Sequence, residues 1–225
     1  MNPPLPSLVI VDLDDTLYHF REAHEAGIAE VSRTIEARLG LSETLWLRHY
    51  HSARLATKRR LGSTASSHSR LIYFKAMLEQ LGVGGHFDLA LQLEHVYWQN
   101  FLRAMRETAG SKEFFFKCRE LGIPVVVMTD LTLQIQLKKI IQLGLLHYFH
   151  AVITSEEVGA DKPNTAFMDY ARDELELNTS RVWLIGDDLS KDHKLAEKIG
   201  ATFFHVNSEN TSKSSFSRLL RVLGS

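Results

Sequence analysis

Five short runs set the main limit on how this chain can fold: LVIVDL at 8–13, PVVVMT at 124–129, AVIT at 151–154, RVWLIGD at 181–187 and ATFFHV at 201–206. They are rich in β-branched residues and show little alternation of polar with apolar positions. A strand with one face in water alternates, whereas a strand covered on both faces is apolar throughout, as in parallel sheets flanked by helices. The intervening segments LQIQLKKIIQLGLL, TAFMDYARDEL and KDHKLAEKIG place apolar residues at helical spacing, and the last ends on Gly200, a helix-stop signal. The alternation predicts an α/β fold: a doubly wound, Rossmann-like parallel sheet.

Residues 20–107 break this rhythm. EAHEAGIAEVSRTIEARLG, ETLWLRHYHSARLATKRR, SRLIYFKAMLEQLG and FDLALQLEHVYWQNFLRAMRE read as amphipathic helices, separated by breaks at GLS, GSTASS and GVGG. The expected organisation is an α/β core formed by 1–19 and 108–225, with a helical domain, 20–107, inserted directly after the first strand. No internal repeat or low-complexity segment is present.

Composition narrows the function classes. Of 225 residues, 26 are Lys or Arg and 27 are Asp or Glu, a formal net charge of −1 that offers no general attraction to nucleic acid or an anionic membrane. No apolar run approaches the roughly 20 residues that span a bilayer. The opening MNPPLPS lacks the charged and apolar regions of a secretion signal. The single cysteine, Cys118, has no internal disulfide partner and reads as a packed apolar residue. These features predict a cytoplasmic protein with no nucleic-acid or membrane partner, and they leave the oligomeric state open.

In open parallel sheets, ligands bind beyond the carboxyl ends of the strands. Here those ends carry acids: Asp12 and Asp14 after the first strand, Thr129-Asp130 after the second, and Asp187, Asp188 and Asp192 after the fourth, with Asp161-Lys162-Pro163 between. Clustered carboxylates repel one another, and a hard cation such as Mg²⁺, which takes oxygen ligands, relieves the repulsion. Asp12, Asp14 and Asp187 are the candidate ligands. One carboxylate can then attack phosphorus, a second can move the proton, and Thr129 and Lys162 can hold phosphate oxygens.

DLDDT at 12–16, the strand-end Thr129, DKP at 161–163 and GDDLSKD at 186–192 resemble, in order, the four motifs of the haloacid dehalogenase superfamily. The likeness covers 8–20 and 110–206. GLLHYFHAVITSEEVGADKP is similar to the superfamily's phosphatases, and the helical insertion resembles their small cap. The resemblance implies Asp12 as nucleophile and metal ligand, and Asp14 as general acid/base with its backbone carbonyl on Mg²⁺. It further implies Thr16 as a hydrogen-bonding support, Thr129 and Lys162 on the phosphoryl group with Lys162 also pairing Asp12, and Asp187 on the metal. Asp188 and Asp192 would hold metal waters or Lys162. The second motif departs from the family's Thr/Ser-Asn pattern: at Asp130 a backbone N–H can still reach phosphate, while the side chain repels it unless turned away, as a cap for the helix near Thr132.

Asp15 reads as a turn or cap residue. Lys58, Arg59 and Arg60 read as a solvated helix end, the functional alternative being a cap patch that faces an anionic substrate; Arg54, Arg70 and Lys75 carry the same two readings. His49 and His51, two apart on a helix, face different ways and make no metal site. Phe114, Phe115 and Phe116, with the Trp and Tyr residues of the insertion, read as core. The functional expectation is a Mg²⁺-dependent phosphohydrolase of a small phosphorylated metabolite, such as a nucleotide, sugar phosphate or phosphoglycolate, with the cap closing over it. The alternatives are a phosphomutase of the same superfamily and a non-catalytic relative that binds a phosphorylated ligand.

Overall fold

The computed structural model describes residues 3–206 and 215–224. Five strands form one sheet: β1 (Leu8–Val11), β2 (Val125–Thr129), β3 (Ala151–Thr154), β4 (Val182–Gly186) and β5 (Thr202–His205). Their order is β3-β2-β1-β4-β5, and every neighbouring pair is parallel. The fold is the α/β, Rossmann-like architecture expected from the apolar runs. Every residue of β1, β2 and β4 is buried, whereas the edge strands β3 and β5 are partly open. In the centre Val9 lies opposite both Val125 and Trp183. The first strand is shorter than its apolar run because the chain leaves the ladder at Asp12, whose N–H still donates to the Ile185 carbonyl at 2.9 Å.

The chain divides into two compact units, Phe20–Met105 and the remainder. The helical unit consists of α1 (Phe20–Leu39), α2 (Glu43–Leu61), α3 (Arg70–Gln80) and α4 (Phe87–Ala104), with a 3₁₀ turn at Ala65–His68. Aromatic residues fill its interior: Trp46, Tyr50, Tyr73, Phe74 and Tyr97 are almost wholly buried. Among its basic residues, Lys58, Arg59 and Arg60 occupy the last turn of α2, and Lys75 pairs with Glu79 at the surface.

In the sheet unit the helices are α5 (Ser111–Glu120), α6 (Leu133–Leu143), α7 (Ser155–Val158), α8 (Ala166–Asp173), α9 (Lys194–Ile199) and α10 (Ser215–Leu223). Phe167 and Ala171 of α8 and Leu195 and Ala196 of α9 pack with Leu8, Ile10, Met128 and Leu184 of the sheet. Gly144 and Gly200 end α6 and α9 in left-handed conformation, at φ of 67° and 69°, where a Cβ would be strained. Of the FFF run, Phe114 and Phe115 are buried against Phe216 of α10, but Phe116 is 45% exposed and lies beneath the Arg119 guanidinium. Three consecutive helical positions cannot share one face, which corrects the reading of all three as core. Cys118 is fully buried, and burial pushes its thiol pKa up to about 12. Within this unit, the segments flanking the helical insertion are tied together: the Thr108 N–H donates to the Leu17 carbonyl and its hydroxyl to the Thr16 carbonyl. Among the described residues no helix is long and apolar enough to cross a membrane.

Gly27 brings α1 against α4: a Cβ there would lie 2.8 Å from a Tyr97 ring carbon and 3.0 Å from the Tyr97 carbonyl oxygen. Replacing glycine with alanine inside a helix normally gains roughly 1 kcal/mol, whereas overpacking costs about 1–3 kcal/mol. Gly27→Ala is therefore expected to lower the unfolding free energy in urea by up to about 2 kcal/mol. A stabilised variant would show that the helix contact is slack.

Candidate active site

The strand order places a topological switch between β1 and β4: the chain runs outward through β2 and β3, then returns past β1 to β4 and β5. Crevices at such points are where open α/β sheets bind ligands. Asp12 follows β1 and Asp187 follows β4, so the switch itself brings these two acids together. Asp12, Asp187 and Asp192 each offer a carboxylate oxygen within 4.8 Å of the others. The Thr16 hydroxyl lies between two of them, 3.3 Å from Asp12 Oδ2 and 3.2 Å from Asp187 Oδ1.

Lys162 closes the cluster. Its Nζ donates to Asp12 Oδ1 and, at 2.7 Å, to Asp192 Oδ1, and all three side chains are buried. Burial alone would favour the neutral amine, but Asp12, Asp192 and Asp130 hold the ammonium well above its usual range. Burial raises Asp12, assisted by Asp192, Asp187 and Asp14, and Lys162 pulls against it; the net direction is upward. Asp187 is pushed up to about 6 by burial, then by Asp192 and Asp15. Three buried or half-buried acids around one ammonium remain short of positive charge, and their oxygens are the donor type a hard divalent cation takes.

Asp192 reaches Lys162 because nothing stands between it and the backbone of β4. A Cβ on Gly186 would fall 2.3 Å from Asp192 Oδ2 and 2.7 Å from its Cβ. The Asp188 N–H donates to Asp192 Oδ2 at 3.2 Å. The Asp188 carboxylate does not join the cluster: it accepts from the Ser190 N–H and hydroxyl, capping the single π turn Leu189–His193. Its side chain is thus engaged with Ser190 rather than with Lys162. Asp15 adopts a left-handed conformation, φ 58°, at the turn after β1.

The Asp14 carboxylate turns away from the acidic trio. Lys139 Nζ reaches Asp14 Oδ1 at 2.5 Å, the Tyr18 hydroxyl donates to the same oxygen, and Gln136 Nε2 donates to Oδ2 at 3.2 Å. Burial works against its charge, but Lys139, with these two donors, holds the carboxyl below the usual carboxylate range. Lys139 is 1% exposed on its side chain. Gln136 also donates to Thr129 Oγ1 at 2.6 Å and to the Asp130 carbonyl at 2.7 Å, and the Thr129 hydroxyl donates to that same carbonyl at 3.3 Å. Asp130 does not cap the helix at Thr132. Its Oδ1 accepts from the Lys162 N–H at 2.9 Å, its Oδ2 from Lys191 Nζ at 2.5 Å, and the Leu133 N–H goes to Glu156 instead. The lysine neutralises the acid that departs from the family's second motif.

Lys139, Gln136, Tyr18 and Lys191 were not singled out in the sequence. For two of them a signal was present: Ile135, Gln136, Lys139, Ile140 and Leu143 form the buried face of α6, so a lysine and a glutamine lie on an apolar stripe. Polar groups on a core-facing stripe need buried partners.

A family model described as haloacid dehalogenase-like hydrolase matches residues 6–200. The chain is 34% identical to a ribulose-1,5-bisphosphate 5-phosphatase from Halopiger xanaduensis, over 87% of this chain and 82% of that protein. It is 28% identical to a glyceraldehyde 3-phosphate phosphatase from Methanopyrus kandleri, over 85% of this chain and 80% of the relative. The crystal structure of a HAD phosphatase from Thermococcus onnurineus shares the fold, with a TM-score of 0.72 at 23% identity, covering 90% of this chain and 87% of that one.

The contact at Gly186 yields a direct expectation. Gly186→Ala should displace Asp192 from Lys162 and lower the unfolding free energy by about 1–3 kcal/mol in a urea titration. Unchanged stability would mean that Asp192 shifts without cost.

Proposed function

The chain belongs to the haloacid dehalogenase-like hydrolases, and we propose that it is a magnesium-dependent phosphatase that cleaves a small sugar phosphate through an aspartyl-phosphate. Hydrolysis of a phosphoric monoester agrees with the named activities of its relatives, both of which act on sugar phosphates. The observation that carries the reading is the Asp12–Lys162–Asp192 arrangement beside Asp187 at the sheet's switch point. A phosphatase site must accept a dianion, and one ammonium cannot offset three acids as well as a phosphate. Asp12, Asp187 and the Asp14 carbonyl would hold Mg²⁺, which when bound supplies the missing positive charge and draws electron density from the phosphoryl oxygens.

The residues of the chain then divide the work. The Asp12 carboxylate attacks phosphorus; the bond to the sugar oxygen breaks, and an acyl phosphate forms on Asp12. Protonated Asp14 gives its proton to the departing alkoxide, and in its ionised form later takes one from the water that releases inorganic phosphate. The pairing with Lys139 stabilises that ionised form, so donation requires the Asp14 carboxyl to turn from Lys139 toward the leaving oxygen. Lys162, the Asp130 N–H and the Thr129 hydroxyl hold the transferring oxygens. We read the helical unit as the cap that selects the substrate, and we place the protein in the cytoplasm, a location that its lone buried thiol supports.

Phosphate release from a panel of sugar phosphates, with Mg²⁺ and with a chelator, tests this reading. Activity should require the metal, and Asp12→Asn should lose about 10³-fold or more in kcat while remaining folded. Release that survives Asp12→Asn near its original rate would remove Asp12 as nucleophile, and transfer to a second sugar hydroxyl would make the enzyme a mutase. Lys139→Met should move the Asp14 limb of the kcat–pH profile to higher pH, since the charge that holds this carboxyl ionised is gone. An unchanged profile in that variant would show that the pair with Asp14 is dispensable.

A further inference from the structure

Asp130 brings a negative charge to the strand end where an anion is expected to lie. Its N–H is assigned to a phosphoryl oxygen, and its own carboxyl group is only a few bonds away. In the structure that carboxyl closes a ring of four residues from three segments. Asp130 Oδ1 accepts from the Lys162 N–H at 2.9 Å, and Lys162 Nζ donates to Asp192 Oδ1 at 2.7 Å. Lys191 precedes Asp192 in the single π turn after β4, and its Nζ returns to Asp130 Oδ2 at 2.5 Å. The Asp130 and Lys191 side chains are 13% and 34% exposed. Burial favours the neutral amine at Lys191, but its bond to Asp130 holds the ammonium above its usual range.

A balance of charge shows what Lys191 supplies. Lys162 already holds Asp12 and Asp192, and it also lies in the field of Asp130. Without Lys191, the Asp130 carboxylate would stand beside an incoming phosphate with no cation of its own. Exposed ion pairs contribute little to a fold. This one is largely withdrawn from water, and it shares its acid with the backbone of Lys162. A pair that served the fold alone would change stability and leave affinity for an anion untouched.

We infer that Lys191 is a positioning residue for phosphate affinity, which acts on the substrate through Asp130, so that the pair together does the work of one neutral hydrogen-bonding side chain. The inference rests on reading the carboxyl edge of the sheet as a phosphatase site. Its consequence is conditional: Lys191 matters to the substrate only while residue 130 is acidic. Removing the ammonium uncovers a charge, and removing that charge as well takes away the need for the ammonium.

The test is a double-mutant cycle of Lys191→Met and Asp130→Asn, followed by steady-state kinetics with Mg²⁺ on a sugar phosphate that the wild type hydrolyses. Asparagine keeps an Oδ1 acceptor for the Lys162 N–H, so the cycle removes charge without removing that hydrogen bond. In the native background Lys191→Met should raise KM by about 10–100-fold, the range for an uncompensated unit charge roughly 6–12 Å from an anion at an effective dielectric of about 20. The change in kcat should stay under about threefold, since uniform binding is what is lost. In the Asp130→Asn background the same substitution should raise KM by less than about threefold. Equal factors in the two backgrounds overturn the inference, as does a native-background variant that keeps the wild-type KM or loses kcat alone. If Lys191→Met fails to fold, Lys191→Gln keeps a donor for Asp130 without the charge, and a wild-type KM there counts equally against the pair. Should the wild type hydrolyse no sugar phosphate, the phosphatase reading has failed. Calorimetric titration of inorganic phosphate, with Mg²⁺ present, into the four proteins then decides the pair on its own. Affinity lowered by Lys191→Met in the native background alone supports it, and equal effects, or no binding to the wild type, reject it.

Discussion

The ammonium of Lys162 is the interaction on which the arrangement of the sheet edge depends. Asp12, Asp187 and Asp192 come from positions up to 180 residues apart and would repel one another without it. A buried ion pair is weak evidence for stability, but removing one member commonly costs about 3–5 kcal/mol because the other charge is stranded. Here one cation serves two carboxylates directly and leaves a third poorly compensated. The site is therefore consistent as a frame but electrically incomplete, which is the condition expected of a pocket meant to receive a metal ion together with a phosphate.

The backbone is adjusted to that lysine in several places. The Lys162 N–H is anchored by Asp130, which is balanced in turn by Lys191, while Gly186 leaves room for Asp192 beside β4. Lysine is thus used twice more, at 139 and 191, to neutralise an acid at this edge of the sheet. These two pairs have different consequences. The one at Asp130 offsets a charge that would repel an anion in the proposed site, and the one at Asp14 biases the proposed proton-transfer group toward its ionised form.

Much of this was legible in the residues. The continuous apolar runs specify a parallel sheet because both faces must be covered, and the sheet's carboxyl edge identifies where Asp12, Thr129, Lys162 and Asp187 must converge. The partners of those residues were harder to see. Lys139 and Gln136 lie on the helix after β2, where only their position on an apolar stripe distinguishes them from ordinary surface residues. Asp188 and Asp192 sit four residues apart in one motif, yet local capping by Ser190 takes the first and a missing Cβ admits the second. Phe116 lies outside the core for a related reason: composition marks it as core, and helical rotation by 100° per residue carries it outward.

The lone thiol of Cys118, fully buried and hard to ionise, has a practical value. Alkylating probes react through thiolate, so this side chain should stay silent under mild labelling. A reporter cysteine placed on any exposed helix would then be the sole labelled position, and a pair of them, one in each unit, would make the molecule a ready subject for distance measurements by spin or fluorescent labels without first removing a native residue.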